Sequence, residues 1–200
     1  MKIFITGIDT DIGKTVASAI LAQALKADYF KPIQCGDLNN SDSKKVQTWT
    51  DAKIFPENYK LKTPKSPHLA ASIENTEISL DKIQLPKTNN KLIIEGAGGL
   101  LVPLNNKDYI IDIPKKFNLP VILVCKNYLG SLNHTLLSIE ALKKRNIKIM
   151  GLIFNGTSDL ESEKFLEKKS GVSKILNIEI ENKIDKETIL KYSQRLDKWI

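Results

Sequence analysis

A short apolar strand that runs straight into a glycine-bounded loop constrains this chain more than any other feature. Residues 2–6 (KIFIT) precede Gly7, and the loop ends in Gly13-Lys14-Thr15, where a helix-forming run begins. Inward-pointing backbone N–H groups and the positive end of the following helix would bind a polyphosphate in such a loop. Lys14 would reach the outer phosphates, and the Thr15 hydroxyl would help hold a magnesium ion.

The spacing of this loop differs slightly from the strict phosphate-binding pattern. Five residues rather than four separate Gly7 from Gly13. The required context of a strand before and a helix after is nevertheless met. The alternative is an ordinary strand-to-helix turn with an exposed lysine, which would leave Thr6, Thr10 and Thr15 around the two glycines unexplained.

The composition is that of an ordinary globular chain. Its 200 residues, 42% of them hydrophobic, suit one compact domain over 1–200 with a single core. No apolar run approaches the ~20 residues that span a bilayer. The apolar stretch at the N-terminus ends at Thr6, which does not fit a signal peptide. Cys35 and Cys125 form no disulfide framework, so we expect thiols in a reducing cytoplasm.

The net charge of +7 raises nucleic acid as a possible partner. Only Arg145 and Arg195 are arginines, although arginine is favoured for base readout and phosphate clamping. The lysines alternate with acidic residues over 161–169 and 185–191, a pattern typical of solvated helix faces. The sequence therefore predicts no nucleic-acid and no membrane partner, and a positive surface that attracts anionic ligands.

Apolar strands and amphipathic helices alternate along the chain. This alternation predicts an α/β fold with a mostly parallel sheet and helices on both faces, similar to P-loop NTPases. Proline-rich residues 54–68 are predicted to be a long loop, and residues 96–99 a turn. The predicted strands are 3–6, 29–33, 92–95, 121–125, 147–155 and 175–178, and the predicted helices are 14–26, 42–53, a short one beginning after Ser79, 131–145, a charged one after 155, and 185–199.

Polar residues and glycines follow several of the predicted strands, where ligands bind in open parallel sheets. The clearest is Glu95, an acidic residue that closes an apolar strand and is placed to hold magnesium directly or through water. The glycines among residues 96–99 would let backbone approach a ligand closely. Two interpretations of Asp42 remain open, a metal ligand and a simple helix cap. The same edge would also collect Thr10, Asp11, Lys31, Cys35, Asn127, Gly130 and Asn155.

Taken together, these motifs resemble the dethiobiotin synthetase family, whose phosphate loop has the same five-residue spacing. The order and separation of the motifs fit from residue 3 to residue 155. The matching segments are Thr6–Thr15, Lys31-Pro32, Asn40-Ser41-Asp42, Ser66-Pro67-His68, Glu95-Gly96-Ala97-Gly98-Gly99, Leu119–Val124, Leu129-Gly130 with Asn133-His134, and Gly151 leading to Asn155.

The resemblance implies an ATP- and Mg²⁺-dependent ligase of biotin synthesis. In that family 7,8-diaminopelargonic acid is carbamated by carbon dioxide, the carbamate is phosphorylated by a nucleoside triphosphate, and the second amine closes a cyclic urea. No protein nucleophile is needed, so catalysis rests on positioning and charge stabilisation. The resemblance also implies a homodimer with the substrate near the interface, to which Phe165 would contribute a contact.

Site residues follow by position from the same resemblance. Lys14, Lys31 and Thr10 would act at the reacting centre, and Thr15, Asp42 and Glu95 would hold the metal. The nucleotide would contact Asp11, Ile12, Gly13, Lys14, Thr15, Val16, Glu95, Gly96, Gly98 and Asn155. The substrate would contact Lys31, Cys35, Gly98 and Gly99, with its carboxylate at Gly130, Ser131, Leu132 and Asn133.

The chain departs from the family pattern mainly around the nucleobase. Cys35 replaces a common serine, Gly156 replaces the aspartate after Asn155, and residues 177–180 lack the expected proline. A loosened base site with weak discrimination between triphosphates is therefore predicted.

Three alternative functions are a related amide ligase such as cobyrinic acid a,c-diamide synthase, a nucleotide-switch protein of the partition type, and a small-molecule kinase. The first would need room for a glutaminase domain, the second an earlier loop lysine, and the third does not account for Lys31-Pro32.

Overall fold

A seven-stranded parallel sheet forms the centre of the computed structural model, which describes residues 1–196. Its strand order is β4-β2-β6-β1-β7-β8-β9, and every neighbouring pair is parallel. The predicted parallel sheet is confirmed. The strands are β1 (Lys2–Gly7), β2 (Asp28–Phe30), β3 (Ile33–Cys35), β4 (Ile54–Phe55), β5 (Tyr59–Leu61), β6 (Leu92–Gly99), β7 (Val121–Cys125), β8 (Ile149–Asn155) and β9 (Lys174–Ile178), of which β3 and β5 pair separately.

Helices cover both faces of this sheet, because its strands are apolar on both sides. Along β1, Ile3 and Ile5 belong to one buried cluster, together with the apolar residues of the first helix, whereas Phe4 belongs to a second cluster on the opposite face. The helices are α1 (Lys14–Leu25), α2 (Asp42–Trp49), α3 (Pro67–Ile73), α4 (Asp112–Lys116), α5 (Ser131–Lys144), α6 (Leu160–Ser170) and α7 (Lys186–Ser193).

Side-chain caps begin three of these helices close to where the sequence predicts them. The Ser41 hydroxyl accepts from the backbone N–H of Lys44 and begins α2. Asp159 caps α6 and Asp185 caps α7 in the same way. Each cap satisfies a backbone donor that the first helical turn leaves free.

The segment 54–68 was wrongly predicted to be a structureless loop. It contains β4 and β5, and α3 begins at Pro67. Proline at the first position of a helix is compatible with helical geometry because the missing N–H has no partner there. β4 is an edge strand of two residues, and pairing with β2 rather than any local signal defines it.

Several predicted boundaries also differ from the structure. The strand predicted over 29–33 is interrupted at Lys31-Pro32, so that β2 and β3 join different sheets, and the glycines at 96–99 continue β6 instead of turning. The helix predicted over 42–53 ends at Trp49. A single 3₁₀ turn at Leu80–Lys82 replaces the helix predicted after Ser79. The helix α7 ends at Ser193 and a 3₁₀ turn follows at Gln194–Leu196; the predicted remainder to 199 lies outside the described residues.

Within residues 1–196, no helix combines the length and the apolar character needed to cross a membrane.

Candidate active site

The phosphate loop at residues 8–13 is shaped by close packing around its two glycines. Gly13 has a φ of +93°, which favours glycine, and a Cβ there would collide with the side chain of Asn155. The amide of Asn155 donates to the carbonyl of Ile12 at 3.0 Å. Ile12 is buried and its side chain leaves no room for a Cβ at Gly7. The loop therefore holds a defined shape before any ligand binds.

Lys14 begins α1 and lies along this loop. Its Nζ donates to the backbone carbonyl of Asp9 at 2.7 Å, and the residue is only 7% exposed. Burial, reinforced by the nearby Lys31 ammonium, lowers the pKa of Lys14 from its usual value to about 8. Among residues 1–196 its charge has no direct carboxylate partner, so an anionic phosphate would stabilise it strongly.

A buried cluster of charged and polar groups lies beside Lys14, with members on β2, β6, α1 and α2 and at Lys31, directly after β2. The ammonium of Lys31 contacts Asp42 Oδ2 at 2.5 Å and Glu95 Oε1 at 3.0 Å. The Thr15 hydroxyl donates to the same Glu95 Oε1 at 2.9 Å, and the Tyr29 hydroxyl donates to Glu95 Oε2 at 2.9 Å. The pairing of β2 with β6 and the packing of α1 and α2 bring these groups together although up to 80 residues separate them along the chain.

The electrostatics of this cluster favour its charged form. Burial by itself lowers the pKa of Lys31, but the adjacent carboxylates of Glu95 and Asp42 more than offset this, so the pKa is raised above its usual value. Burial likewise raises the pKa of Asp42, and the Lys31 ammonium reverses the effect and holds that pKa below its usual value. At neutral pH the Lys31 ammonium and the Asp42 carboxylate therefore both stay charged.

The oxygen atoms of Thr15, Asp42 and Glu95 fit the preferences of Mg²⁺. Two carboxylates and a hydroxyl are hard ligands of the kind that Mg²⁺ takes, and they already surround a cation, the Lys31 ammonium. Among the described residues no group of three or more His, Cys, Asp and Glu side chains could hold a metal ion by itself. Mg²⁺ bound here would need water and phosphate oxygens to complete its six ligands, which is its usual mode beside nucleotides.

A cavity of about 740 Å³ opens over the loop and the cluster. Most of the predicted site residues line it, and its outer wall comes from α2 and from the segment before α3. The lining residues that the sequence predicts are Thr10, Asp11, Gly13, Lys14, Thr15, Val16, Lys31, Cys35, Asp42, Glu95 and Gly98. The predicted residues that do not line it are Ile12, Gly96, Gly99, Asn155, Gly130, Ser131, Leu132 and Asn133.

Curated relatives match nearly the whole chain. A protein of Cytophaga hutchinsonii is 50% identical over 203 residues, covering 99% of this chain and 98% of the relative, and bears the name ATP-dependent dethiobiotin synthetase BioD. Relatives with the same name in Christiangramia forsetii and Chlamydia pneumoniae are 50% and 43% identical and match 98% and 97% of this chain. This chain belongs to the ATP-dependent dethiobiotin synthetase family. It is therefore an ATP-dependent ligase of biotin synthesis, and the alternative functions are not favoured.

Comparisons of domain and fold agree with membership of the dethiobiotin synthetase family. The family model described as "AAA domain", a P-loop family, matches residues 1–188. A plasmid partition protein from Borrelia burgdorferi has a TM-score of 0.59 at 13% identity, covering 99% of this chain and 96% of that one. A ParA family ATPase from Chlorobium tepidum has a TM-score of 0.55, also at 13% identity, with 98% and 92% covered. At such identities these likenesses show the fold alone, and they confirm the predicted P-loop NTPase-like architecture.

In this member of the dethiobiotin synthetase family, the glycines among residues 96–99 have different surroundings. Some pack inside the sheet, and one lines the cavity. A Cβ at Gly96 would collide with the ring of Phe4, on the face of the sheet that packs into the core. Gly98 has a φ of +67° and lies beside Thr10 at the cavity. Gly99 pairs with Gly7 across the sheet. Only Gly98 and Ala97 of this run line the cavity.

The predicted substrate-carboxylate residues lie apart from the cavity, at the N-terminus of α5. Gly130 has a φ of +100° and immediately precedes the helix, and Leu129 beside it is fully exposed. The Ser131 hydroxyl accepts from the backbone N–H of Tyr128. The His134 Nδ1 atom lies 2.8 Å from the Tyr128 hydroxyl oxygen.

Two residues that support the cluster were missed in the sequence. Tyr29 lies two positions before Lys31, where alternation in a buried strand predicts only packing. Gln34 accepts from the backbone N–H of Asp42 and donates to the carbonyl of Gly36, thereby fixing the start of α2. A buried glutamine beside two predicted site residues was the available signal, and it is weak on its own.

Proposed function

We propose that this chain closes the ureido ring of dethiobiotin from 7,8-diaminopelargonic acid, CO₂ and MgATP. One substrate amine adds to CO₂ and loses a proton, giving a carbamate. A carbamate oxygen then takes the γ-phosphoryl group of ATP and releases ADP. The second amine attacks the carbamoyl carbon and expels phosphate as the ring closes. The observation that carries the proposal is the convergence of Lys14, Lys31, Thr15, Asp42 and Glu95 at one cavity in a member of this family.

The two buried lysines have distinct tasks in this scheme. Lys14 would bind the β- and γ-phosphates, because within the described part of the chain its ammonium donates only to a neutral carbonyl. Lys31, which lies near Lys14, would neutralise the carbamate and the transferring phosphoryl group. Thr10, beside Gly98, would line the reacting centre. The work of the protein is alignment and charge neutralisation.

Mg²⁺ belongs to this proposal as the partner of the nucleotide. When bound, it would neutralise phosphate charge and orient the γ-phosphoryl group. Thr15, Asp42 and Glu95 would hold it from the protein side. The backbone of residues 11–16 would cradle the phosphates, with Gly98 opposite, and Asn155 would face the base. The polar contacts around Thr15 and Glu95 support this arrangement.

The diamine would extend from Lys31 past Cys35 and the Gly98-Gly99 backbone. Its carboxylate would bind at Gly130–Asn133, which lies outside the cavity of a single chain, and this is why we propose a homodimer. Exposed Phe165 on α6 would contribute to the contact. We further propose one domain over 1–200 acting in the cytoplasm, which the free thiols of Cys35 and Cys125 support.

Phosphate release from MgATP, measured with bicarbonate and with or without the diamine, tests the proposal. We expect release only when both co-substrates are present, with one cyclic urea formed per phosphate. Mass spectrometry of the product distinguishes the closed ring from an open carbamate. Phosphate release that ignores the diamine would contradict the proposed reaction.

A further inference from the structure

Tyr29 is a fully buried tyrosine whose ring lies in the core while its hydroxyl reaches the candidate active site. It pairs with Ile93 across β2 and β6, and both belong to the buried cluster that packs on α1. Glu95 lies two residues after Ile93 and therefore on the same face of the sheet. A tyrosine side chain is long enough to span this diagonal, and its hydroxyl donates to Glu95 Oε2 at 2.9 Å.

Packing alone does not require this hydroxyl. The ring of Phe30, the next residue, fills the core on the opposite face without one. Among the described residues, the Tyr29 hydroxyl makes one hydrogen bond, and it is the bond to Glu95. A tyrosine hydroxyl ordinarily carries its proton at neutral pH, so it is the donor in this bond and the Glu95 carboxylate is the acceptor.

The two carboxylate oxygens of Glu95 consequently have different hydrogen-bond donors and different surroundings. Oε2 faces the core and accepts from Tyr29, whereas Oε1 faces the cavity and accepts from Thr15 and Lys31. The carboxylate is 1% exposed, so solvent cannot replace a lost donor at Oε2. Without the hydroxyl the carboxylate would rotate to find other donors, and Oε1 would leave its alignment with Thr15.

We propose that Tyr29 is a positioning residue that orients the Glu95 carboxylate for the metal–nucleotide complex. The inference rests on the proposed function, in which Glu95 and Thr15 hold Mg²⁺. It assigns Tyr29 no contact with substrate; its effect passes through the carboxylate.

The test is Mn²⁺ binding to the full chain in the presence of a non-hydrolysable ATP analogue, measured by electron paramagnetic resonance. Tyr29→Phe keeps the ring and removes the hydroxyl. We expect about a tenfold weaker Mn²⁺ affinity, since one hydrogen bond to a buried charged group is lost. Binding of the metal-free analogue by calorimetry should stay within twofold of the wild type.

Tyr192→Phe is the matched control. Tyr192 is also fully buried in the same cluster, and its hydroxyl also donates to a carboxylate, that of Glu181, at 2.6 Å. Glu181 is outside the cavity. We expect this variant to bind Mn²⁺ like the wild type. An equal loss of affinity in both variants would overturn the proposal, because general loosening of the core would then explain it.

Glu95→Gln completes a double-mutant cycle. The cycle tests the positioning role of Tyr29 separately from the role of Glu95 as a metal ligand. If Tyr29 acts through Glu95, adding Tyr29→Phe to Glu95→Gln should weaken Mn²⁺ binding no further. An undiminished second loss would overturn the positioning role while leaving Glu95 as a ligand. Wild-type Mn²⁺ affinity in the Tyr29→Phe single variant would likewise overturn the positioning role of Tyr29 and leave Glu95 as a ligand. Unchanged Mn²⁺ binding in Glu95→Gln would instead remove Glu95 from the metal site and refute both proposals.

Discussion

At the scale of single residues, the candidate active site contains two buried lysines whose pKa values are shifted in opposite directions. Lys14 contacts a backbone carbonyl and has a pKa lowered to about 8, by burial first and then by Lys31. Lys31 is more deeply buried, yet the carboxylates of Asp42 and Glu95 raise its pKa. Partners, rather than burial alone, therefore decide which lysine has spare charge for an incoming phosphate.

Lys14→Ala should abolish phosphoryl transfer without unfolding the protein. Its ammonium would contact the outer phosphates, and loss of such a contact typically lowers kcat by roughly 100- to 1,000-fold. The variant leaves no carboxylate unpaired, so the melting temperature should stay within a few degrees of the wild type. Diamine-dependent phosphate release and thermal unfolding measure the two effects. Turnover near the wild-type rate would exclude Lys14 from the mechanism.

Lys31→Met should instead destabilise the free protein, by about 3 kcal/mol, because it leaves two neighbouring carboxylates without their buried counter-charge. Added Mg²⁺ should restore much of this stability, since its charge would replace the ammonium between Asp42 and Glu95. Chemical denaturation with and without millimolar MgCl₂ measures this effect. Lys14→Ala serves as the control that Mg²⁺ should not stabilise to the same extent.

At the scale of elements, the loops beyond β7 and β8 are tied together by one buried carboxylate on α6. Glu163 accepts from Asn127, which precedes α5, from Ser158 in the loop after β8, and from Lys174 and Asn177 on β9. Burial raises the pKa of Glu163, but these hydrogen bonds outweigh it and lower the pKa to about 2. The carboxylate thus holds the edge strand and two loops near Asn155.

Glu163→Gln should reduce stability at neutral pH by about 1–3 kcal/mol, because an amide cannot accept from all these donors. The folded pKa is depressed, so ionised Glu163 stabilises the fold above its unfolded pKa of roughly 4.3. That contribution falls as the pH drops from there towards 2. Denaturation at pH 7 and pH 3 should therefore show a smaller gap between wild type and variant at pH 3. A gap independent of pH would contradict this assignment.

The residues at the end of β8 are the basis for a prediction about which nucleoside triphosphates the protein accepts. The amide of Asn155 donates to the loop carbonyl of Ile12, and Gly156 follows with a φ of +104°. A base would meet one asparagine that already uses one of its two N–H donors on the loop, which predicts weak discrimination. Ratios of kcat/KM for ATP over GTP, CTP and ITP should stay within about tenfold, since few base contacts distinguish them. A large preference for ATP would refute the loosened base site.

At the scale of the whole molecule, the residues proposed to bind the substrate carboxylate lie outside the cavity of a single chain. Gly130–Asn133 does not line the cavity, and the fully exposed Leu129 beside it, with half-exposed Leu137 on α5 and Phe165 on α6, offers apolar surface for a partner. Burial of such side chains between two copies would be favourable. A second copy could then supply the carboxylate subsite that the first lacks.

Mixing two inactive variants tests whether subunits share the site. Lys14→Ala and Asn133→Ala each impair every site in their own homodimers. In a mixed dimer with shared sites, one site has both defects and the other has neither, so about a quarter of wild-type activity should return after random reassortment. Sedimentation should give the mass of two chains. No recovery in confirmed mixed dimers would place Asn133 and Lys14 of one chain at the same site.

The sequence by itself determined the phosphate loop, the strand–helix alternation and the positions of Lys31 directly after a strand and of Asn155 at a strand end, whereas Glu95 lies within β6 and not at its end. These depend on local spacing, on glycine conformations and on the period of apolar residues, all of which are properties of neighbouring positions. Only the tertiary structure decided that Tyr29, Thr15 and Lys31 divide the oxygens of Glu95 between core and cavity. It likewise decided that 54–68 contributes two strands and that Gly96 packs on Phe4 while Gly98 lines the cavity. These features arise from pairing and burial between residues far apart in the chain, for which no local pattern exists.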